Sequence, residues 1–164
     1  MTIELIPTHD DERETFIRNL QIAFQTAAEA EGGADVDDEI ISRDDILATI
    51  NSEGAQTLNI VRDGKIVGGA VVILRPDNRN ELSLFYVNVD CLDKGIGFAA
   101  WRAIEARYPE TKIWEASTPH FAKRNLHFYI NKCGFHAVEF FSPRHPDKET
   151  DDDYFFRFEK VMKS

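Results

Sequence analysis

The dipeptide Asp63-Gly64 constrains this chain more than any other pair of residues. A two-residue hairpin turn that follows the twist of its strands needs positive φ at both central positions, and Asp-Gly adopts this at little steric cost. The flanks fit that reading. Gln56–Arg62 and Lys65–Arg75 are rich in Val, Ile and Leu, and Gly68-Gly69 inside the second run is the expected place for a bulge. Pro76–Asn80 is turn chemistry. Glu81–Val89 follows as a third strand. It is apolar on both faces, with Leu82, Leu84 and Tyr86 against Phe85, Val87 and Val89, so it is expected in the middle of a sheet. The three strands read as an antiparallel meander.

Helical spacing surrounds the meander. Thr2–Ile6 is a short strand ended by Pro7. Phe16, Leu20, Ala23, Phe24 and Ala27 then recur at helical period behind an acidic first turn, which predicts a helix over 11–30 stopped by Gly32-Gly33. Asp35–Glu39, with four acids in five residues, reads as a solvated loop. Ser42 with Asp45 three residues on is a capping box for a short helix to about Ser52. Downstream, a helix is predicted over 98–107 and stopped by Pro109, a strand over 112–117, a helix over 122–132 with Pro119 in its first turn and Gly134 as C-cap, and strands over 135–141 and 154–161. The order β-α-α-β-β-β-α-β-α-β-β excludes an all-β sandwich and a helical bundle. It predicts an α+β chain with a mixed sheet flanked by helices. No repeat or linker appears, so residues 1–164 are read as one domain.

Composition narrows the function classes. A chain of 164 residues buries enough surface to need no disulfide or metal staple. Its 19 basic and 29 acidic residues give a net charge of −10, which argues against nucleic acid or an anionic membrane as the main partner. Cys91 and Cys133 do not make a zinc site and lie in no CxxC motif, and His9, His136 and His145 have no metal-ligand spacing. No metal is expected. The longest apolar run, Ile66–Leu74, has nine residues, against about 20 for a membrane span. With no secretory signal at the N-terminus, the expectation is a soluble, reduced, cytoplasmic protein.

The chemistry starts at Gly95-x-Gly97. A central strand, a Gly-x-Gly turn and a helix form an anion-binding arrangement, because glycine admits close backbone approach and the first-turn amides point at the ligand. The amides concerned run from Leu92 through Asp93, Lys94, Gly95, Ile96 and Gly97 to Phe98, and Lys94 adds a cation. No Gly-Lys-Ser/Thr follows, so this is not a Walker loop, and the third glycine of a dinucleotide fingerprint is missing. Spacing alone leaves open a glycine turn that merely enters a helix.

About thirty residues on, the chain reads Arg124-Asn125-Leu126-His127-Phe128-Tyr129-Ile130-Asn131-Lys132-Cys133-Gly134-Phe135. Here it resembles the GNAT superfamily of acyl-CoA-dependent N-acyltransferases. Leu84–Val89 is similar to the family's fourth strand, Leu92–Gly97 stands where the family carries Gln/Arg-x-x-Gly-x-Gly/Ala, and Phe128-Tyr129 before Gly134-Phe135 is similar to its last helix and the strand after it. Leu92 departs from the family's Gln or Arg, Val89 from a frequent Pro, and Ala122 from a frequent Asn, with Asn125 one turn later.

The resemblance implies a sheet of about seven strands, mostly antiparallel, with about four helices and a splay between strands 4 and 5. It implies acetyl-CoA as acyl-donor substrate, its pantetheine arm bonded to backbone around Phe85, Tyr86 and Val87 like an added strand. Direct attack by the primary amine of a small molecule is expected. Tyr129 matches the family's acid position; a phenol with pKa about 10 is protonated at neutral pH and can donate to the departing sulfur. Glu81 and Glu115 are the candidate bases, beside a water chain with no single base. On the residues alone, Glu81 is equally a solvated strand-end carboxylate. Asn125 and Lys132, with Lys123 and Arg124, are candidates for the nucleotide side of the cofactor. His120 and His127 are read as helix-flanking. The acids of 35–45 and 143–153 fit a wall for a cationic amine, and the last strands fit a homodimer edge. The second reading is a catalytically weak GNAT-fold acyl-CoA-binding or regulatory module.

Overall fold

The computed structural model describes residues 2–32, 40–92, 94–120, 122–147 and 154–162. Seven strands form one sheet: β1 (Ile3–Pro7), β2 (Ala55–Arg62), β3 (Lys65–Ile73), β4 (Arg79–Val87), β5 (Ile113–Pro119), β6 (His136–Phe141) and β7 (Phe155–Val161). Their spatial order is β1-β2-β3-β4-β5-β7-β6. The hairpin forms where its turn residues predict it, with Asp63 at φ 51° and Gly64 at φ 77°. Four helices cover the sheet: α1 (Arg13–Ala30), α2 (Arg43–Ile50), α3 (Ile96–Arg107) and α4 (Lys123–His127). The Ser42 hydroxyl accepts the Asp45 amide at 3.0 Å, so the predicted cap opens α2. Among the described residues, no helix is long and apolar enough to cross a membrane.

Several boundaries move. Pro119 ends β5 rather than opening a helix, since as a strand's last residue it forfeits no ladder bond. β4 starts and stops two residues earlier than its apolar pattern predicts, and Val89 lies in a 3₁₀ turn. The expected bulge is present, but the extra residue is Val67: Ile60 pairs with Gly68 and Val61 with Ile66. A second bulge lies in β4, where Val71 pairs with Leu84 and Val72 with Leu82, leaving Ser83 over. That extra residue swaps the faces of the strand. Leu82 packs with Trp101, Trp114 and Phe158 beneath α3, whereas Leu84 and Tyr86 pack with Phe16, Ile17 and Leu20 of α1. The single apolar face of Leu82, Leu84 and Tyr86 expected from alternation is therefore split.

All pairings are antiparallel except β4 with β5, which run parallel over only three pairs, Arg79 with Ile113, Asn80 with Trp114 and Glu81 with Glu115. Beyond Glu81 the two strands have no ladder, and the sheet opens into a gap between the rest of β4 and the rest of β5. The half of the sheet before the gap is sandwiched between α1 with α2 and α3. The other half carries the fully buried Trp114, Ala116 and Phe158 on one face and charged residues on the opposite one.

Candidate active site

The first wall of the gap is β4. The Asn88 amide donates to the Val67 carbonyl at 2.8 Å, which fixes the alternation of the β3–β4 ladder. Tyr86 and Leu84 then spend their backbone groups on Gly69 and Val71, and Phe85 and Val87 aim theirs at the gap. With no β5 partner there, these are unpaired strand-edge groups of the kind an extended ligand arm completes. Tyr86 contributes its ring, not its backbone. That ring packs edge-on to Phe16 over Gly69, where a Cβ would lie 2.3 Å from the Phe16 ring and 2.8 Å from Tyr86.

The second element is the turn into α3. Gly95 takes φ 75° and caps the helix without any side-chain bond. The Ala99 amide reaches back to the Gly95 carbonyl, while the amides of Ile96, Gly97 and Phe98 have no acceptor among the described residues. Gly97 sits against the gap: a Cβ there would lie 3.4 Å from the Phe128 ring and 3.9 Å from Val87. Three first-turn amides with no acceptor among the described residues are a ready anion site. Among the described residues Lys94 donates to the Asp90 carbonyl at 3.5 Å, and Leu92 is exposed. Asp93 lies outside the described residues.

The third element is the helix that packs beside β5. α4 continues as a π turn over Phe128–Lys132, closed by the Cys133 amide on the Phe128 carbonyl at 3.0 Å. Such turns insert one residue and re-aim the side chains around it. Phe128 stacks on Phe85, ring centroids 6.0 Å apart, and roofs the gap on the helix side. Tyr129 turns into the core against Phe135 and Phe158. Burial raises its pKa above the ordinary tyrosine value, so the phenol stays protonated. No hydrogen bond to its hydroxyl is found among the described residues, where the sealed unpartnered side-chain atoms are Asn88 Oδ1, Trp101 Nε1 and Trp114 Nε1. Asn125 donates to the Thr118 hydroxyl at 3.2 Å and ties α4 to β5. Lys132 is exposed at the end of the π turn. Burial pushes the Cys133 thiol up to about 12, which leaves it an inert core group.

The two carboxylates occupy the foot of the gap. The bulge at Ser83 places Glu81 with Ile73, Leu84 and Tyr86, not with Phe85 and Val87 as simple alternation predicts. Glu115 is its direct cross-strand neighbour on the same face. Neither is free. Arg75 donates to Glu81 at 2.7 Å and approaches Glu115 at 3.6 Å. Arg79 donates to Glu115 at 3.1 Å and also binds Glu159. Arg157 bonds Glu159 at 2.6 Å and Glu139 at 3.1 Å, and His145 meets Glu139 at 2.6 Å. A continuous chain of charges thus runs from the loop after β6 to the foot of the gap. Sequence reading misses it. Arg75 reads as the end of the return strand and Arg79 as part of the Pro76–Asn80 turn, and the alternation of Arg157 with Glu159 is the one available signal. Of the acidic wall expected from 35–45 and 143–153, residues 35–39 and 148–153 lie outside the described residues.

The donor set present suits an acyl-CoA. Free first-turn amides match a diphosphate, and unpaired β4 backbone matches an amide-bearing arm. No cluster of three or more His, Cys, Asp or Glu side chains that would hold a metal occurs among the described residues. Comparison with known proteins gives the same direction. The profile of the Acetyltransferase (GNAT) family matches residues 14–135. The uncharacterized protein YrkN of Bacillus subtilis (strain 168) is 46% identical over 161 residues, covering 90% of this chain and 87% of that protein. Among solved structures, an acetyltransferase from Thermus thermophilus superposes with a TM-score of 0.69 at 16% identity, covering 99% of this chain and 98% of that one. A GNAT family acetyltransferase from Elizabethkingia anophelis with acetyl-CoA bound gives 0.69 at 13% identity and 98% coverage of both chains.

Proposed function

The chain belongs to the GNAT family of acetyltransferases, and from that premise we propose that it transfers the acetyl group of acetyl-CoA to the primary amine of a small molecule by direct attack. The observation that carries this is the amide set of Ile96, Gly97 and Phe98, without an acceptor among the described residues, beside a gap whose β4 wall offers the backbone of Phe85 and Val87. Acetyl-CoA supplies the activated thioester. The first turn of α3 holds its diphosphate, with Lys94 adding charge, and Phe85 and Val87 orient the arm. An amide of β4 is in place to polarise the carbonyl as negative charge develops on its oxygen. Tyr129 keeps a proton at every working pH and donates it, or a hydrogen bond, toward the sulfur. Burial keeps the phenol protonated, so it can offer its hydrogen to the sulfur as negative charge builds there.

The acceptor's proton has no obvious single receiver. Glu81 and Glu115 are both engaged by arginines, so each accepts a proton only by loosening an ion pair. We assign the proton to water above the foot of the gap, with the two carboxylates polarising it. The acceptor approaches from the α1 side, between Tyr86 and Ser117.

The engaged carboxylates also favour the second reading, a GNAT-fold module that holds acyl-CoA without turnover. Thiol release from acetyl-CoA across a panel of small amines separates the two. Acceptor-dependent release is expected; cofactor binding with no release across the panel supports the module instead. Tyr129→Phe is expected to lower kcat roughly a hundredfold while leaving acetyl-CoA affinity within about twofold. An unchanged kcat removes Tyr129 from the chemistry. A homodimer through the β6 edge is part of the same proposal, and light scattering at assay concentration checks it.

A further inference from the structure

On the other side of the β4–α3 loop, away from Phe128, a recess of about 290 Å³ lies between the β2–β3 hairpin and the loop. Val67, Cys91 and Ile96 form its buried apolar floor, and Arg62, Lys65 and Lys94 stand around it with the Asp63 carboxylate. The hairpin makes this arrangement unusual. Arg62 and Lys65 are its last cross-strand pair, held side by side by the rigid Asp63-Gly64 turn. Like charges directly opposite on a β-ladder repel and destabilise it. The acids nearby do little to offset this. Asp63 lies 3.7 Å from Arg62 and Asp90 3.9 Å from Lys65, well beyond the length of a charge-assisted hydrogen bond, and both acids are largely solvated. Among the described residues Lys94 donates to a backbone carbonyl, that of Asp90. Arg62, Lys65 and Lys94 thus gather positive charge beside a recess in a chain of net charge −10, and their solvated donors are open to an anion.

We propose that this recess binds a phosphate monoester, using Arg62 and Lys65 as its two principal donors. A tetrahedral dianion bridges the two side chains and turns their repulsion into a shared attraction. The volume suits one phosphate group with part of its carrier. The monoester has two sources of identical chemistry: the 3′-phosphate of coenzyme A reaching round the loop, or a separate phosphorylated small molecule. The first source rests on the acetyltransferase reading; the second stands without it.

The test titrates inorganic phosphate, coenzyme A and 3′-dephospho-coenzyme A into the full chain and into Arg62→Gln and Lys65→Gln, at ionic strength matched with chloride. Calorimetry gives affinity, and the melting temperature gives the ligand-free effect. Wild type is expected to bind phosphate saturably, and each variant to bind it roughly tenfold more weakly. Without phosphate, Lys65→Gln is expected to melt no lower than wild type, because a repulsion is gone. A tenfold loss for coenzyme A with dephospho-coenzyme A unchanged identifies the nucleotide as the source. Weakened phosphate binding that persists with coenzyme A saturating identifies a separate ligand. Failure of coenzyme A to bind at all sinks the acetyltransferase reading and leaves the phosphate arm intact. Equal affinities for all three probes in wild type and both variants overturn the proposal. So do variants that melt lower while binding phosphate as wild type does, since the pair is then merely structural.

Discussion

The two faces of β5 and β7 are built from the same strands and solve opposite problems. On the α3 side, Trp114 and Phe158 are fully buried, with Ala116 between them, and Trp101 closes over Trp114 at a ring distance of 5.3 Å. On the reverse side the intervening residues Glu115, Arg157 and Glu159 make ion pairs with Arg79 and Glu139 and stay partly solvated. The first face is held by area and shape, which are non-directional and strong in sum. The second is held by pairing, in which each charge is worth little alone and each loss strands a partner. The dry face therefore carries stability. The charged face fixes where β4 and β5 part, because their ladder has only three pairs and side-chain bonds must supply the remainder.

That comparison can be broken in order of expected effect. Trp114→Ala should cost about 3–5 kcal/mol, since a large buried ring leaves a cavity that the sheet cannot fill. Chemical denaturation measures it, and a loss under about 1 kcal/mol means the dry face is not the anchor. Glu115→Ala should cost about 1–2 kcal/mol, less than a buried pair because Arg79 and Arg75 keep some water contact. A greater loss than for Trp114→Ala would reverse the roles of the two faces. Tyr129→Phe should change stability by less than about 0.5 kcal/mol, because its hydroxyl makes no bond among the described residues, even as turnover drops.

The smallest effect is a pH dependence on the charged face. The bond to His145, and after it the bond to Arg157, holds the Glu139 carboxyl below the ordinary 4.5. A folded-state pKa below the unfolded one stabilises the protein above about pH 4.5 and loses that contribution as acid titrates the folded carboxyl. The urea midpoint of wild type should thus fall more steeply on acidification below about pH 4.5 than that of Glu139→Gln. Parallel curves would show that the outer end of the charge chain contributes nothing.

Local features of this protein were legible in its residues. Asp63-Gly64 names its own turn, Ser42 its own cap, and Gly95 and Gly134 their positive φ, since each depends on neighbours within a few positions. Element order then implied the mixed sheet. The candidate site was read from the sequence through backbone features, at Gly95–Phe98 and along β4, and its side-chain pairings were not read at all.

Tertiary structure decided the remainder. One bulged residue, Ser83, moved Glu81 to the opposite side of β4, and nothing within the strand's own pattern marks it, because a bulge is defined by the partner strand. The π turn sent Phe128 to the gap and Tyr129 inward, a choice made by packing against Phe85 and Phe158. Which arginine holds which glutamate, and which pair of cations is left facing a recess, depends on residues up to eighty positions apart meeting on one face. Short-range sterics write themselves into neighbouring residues; Coulomb pairing and close packing act only once distant segments are side by side.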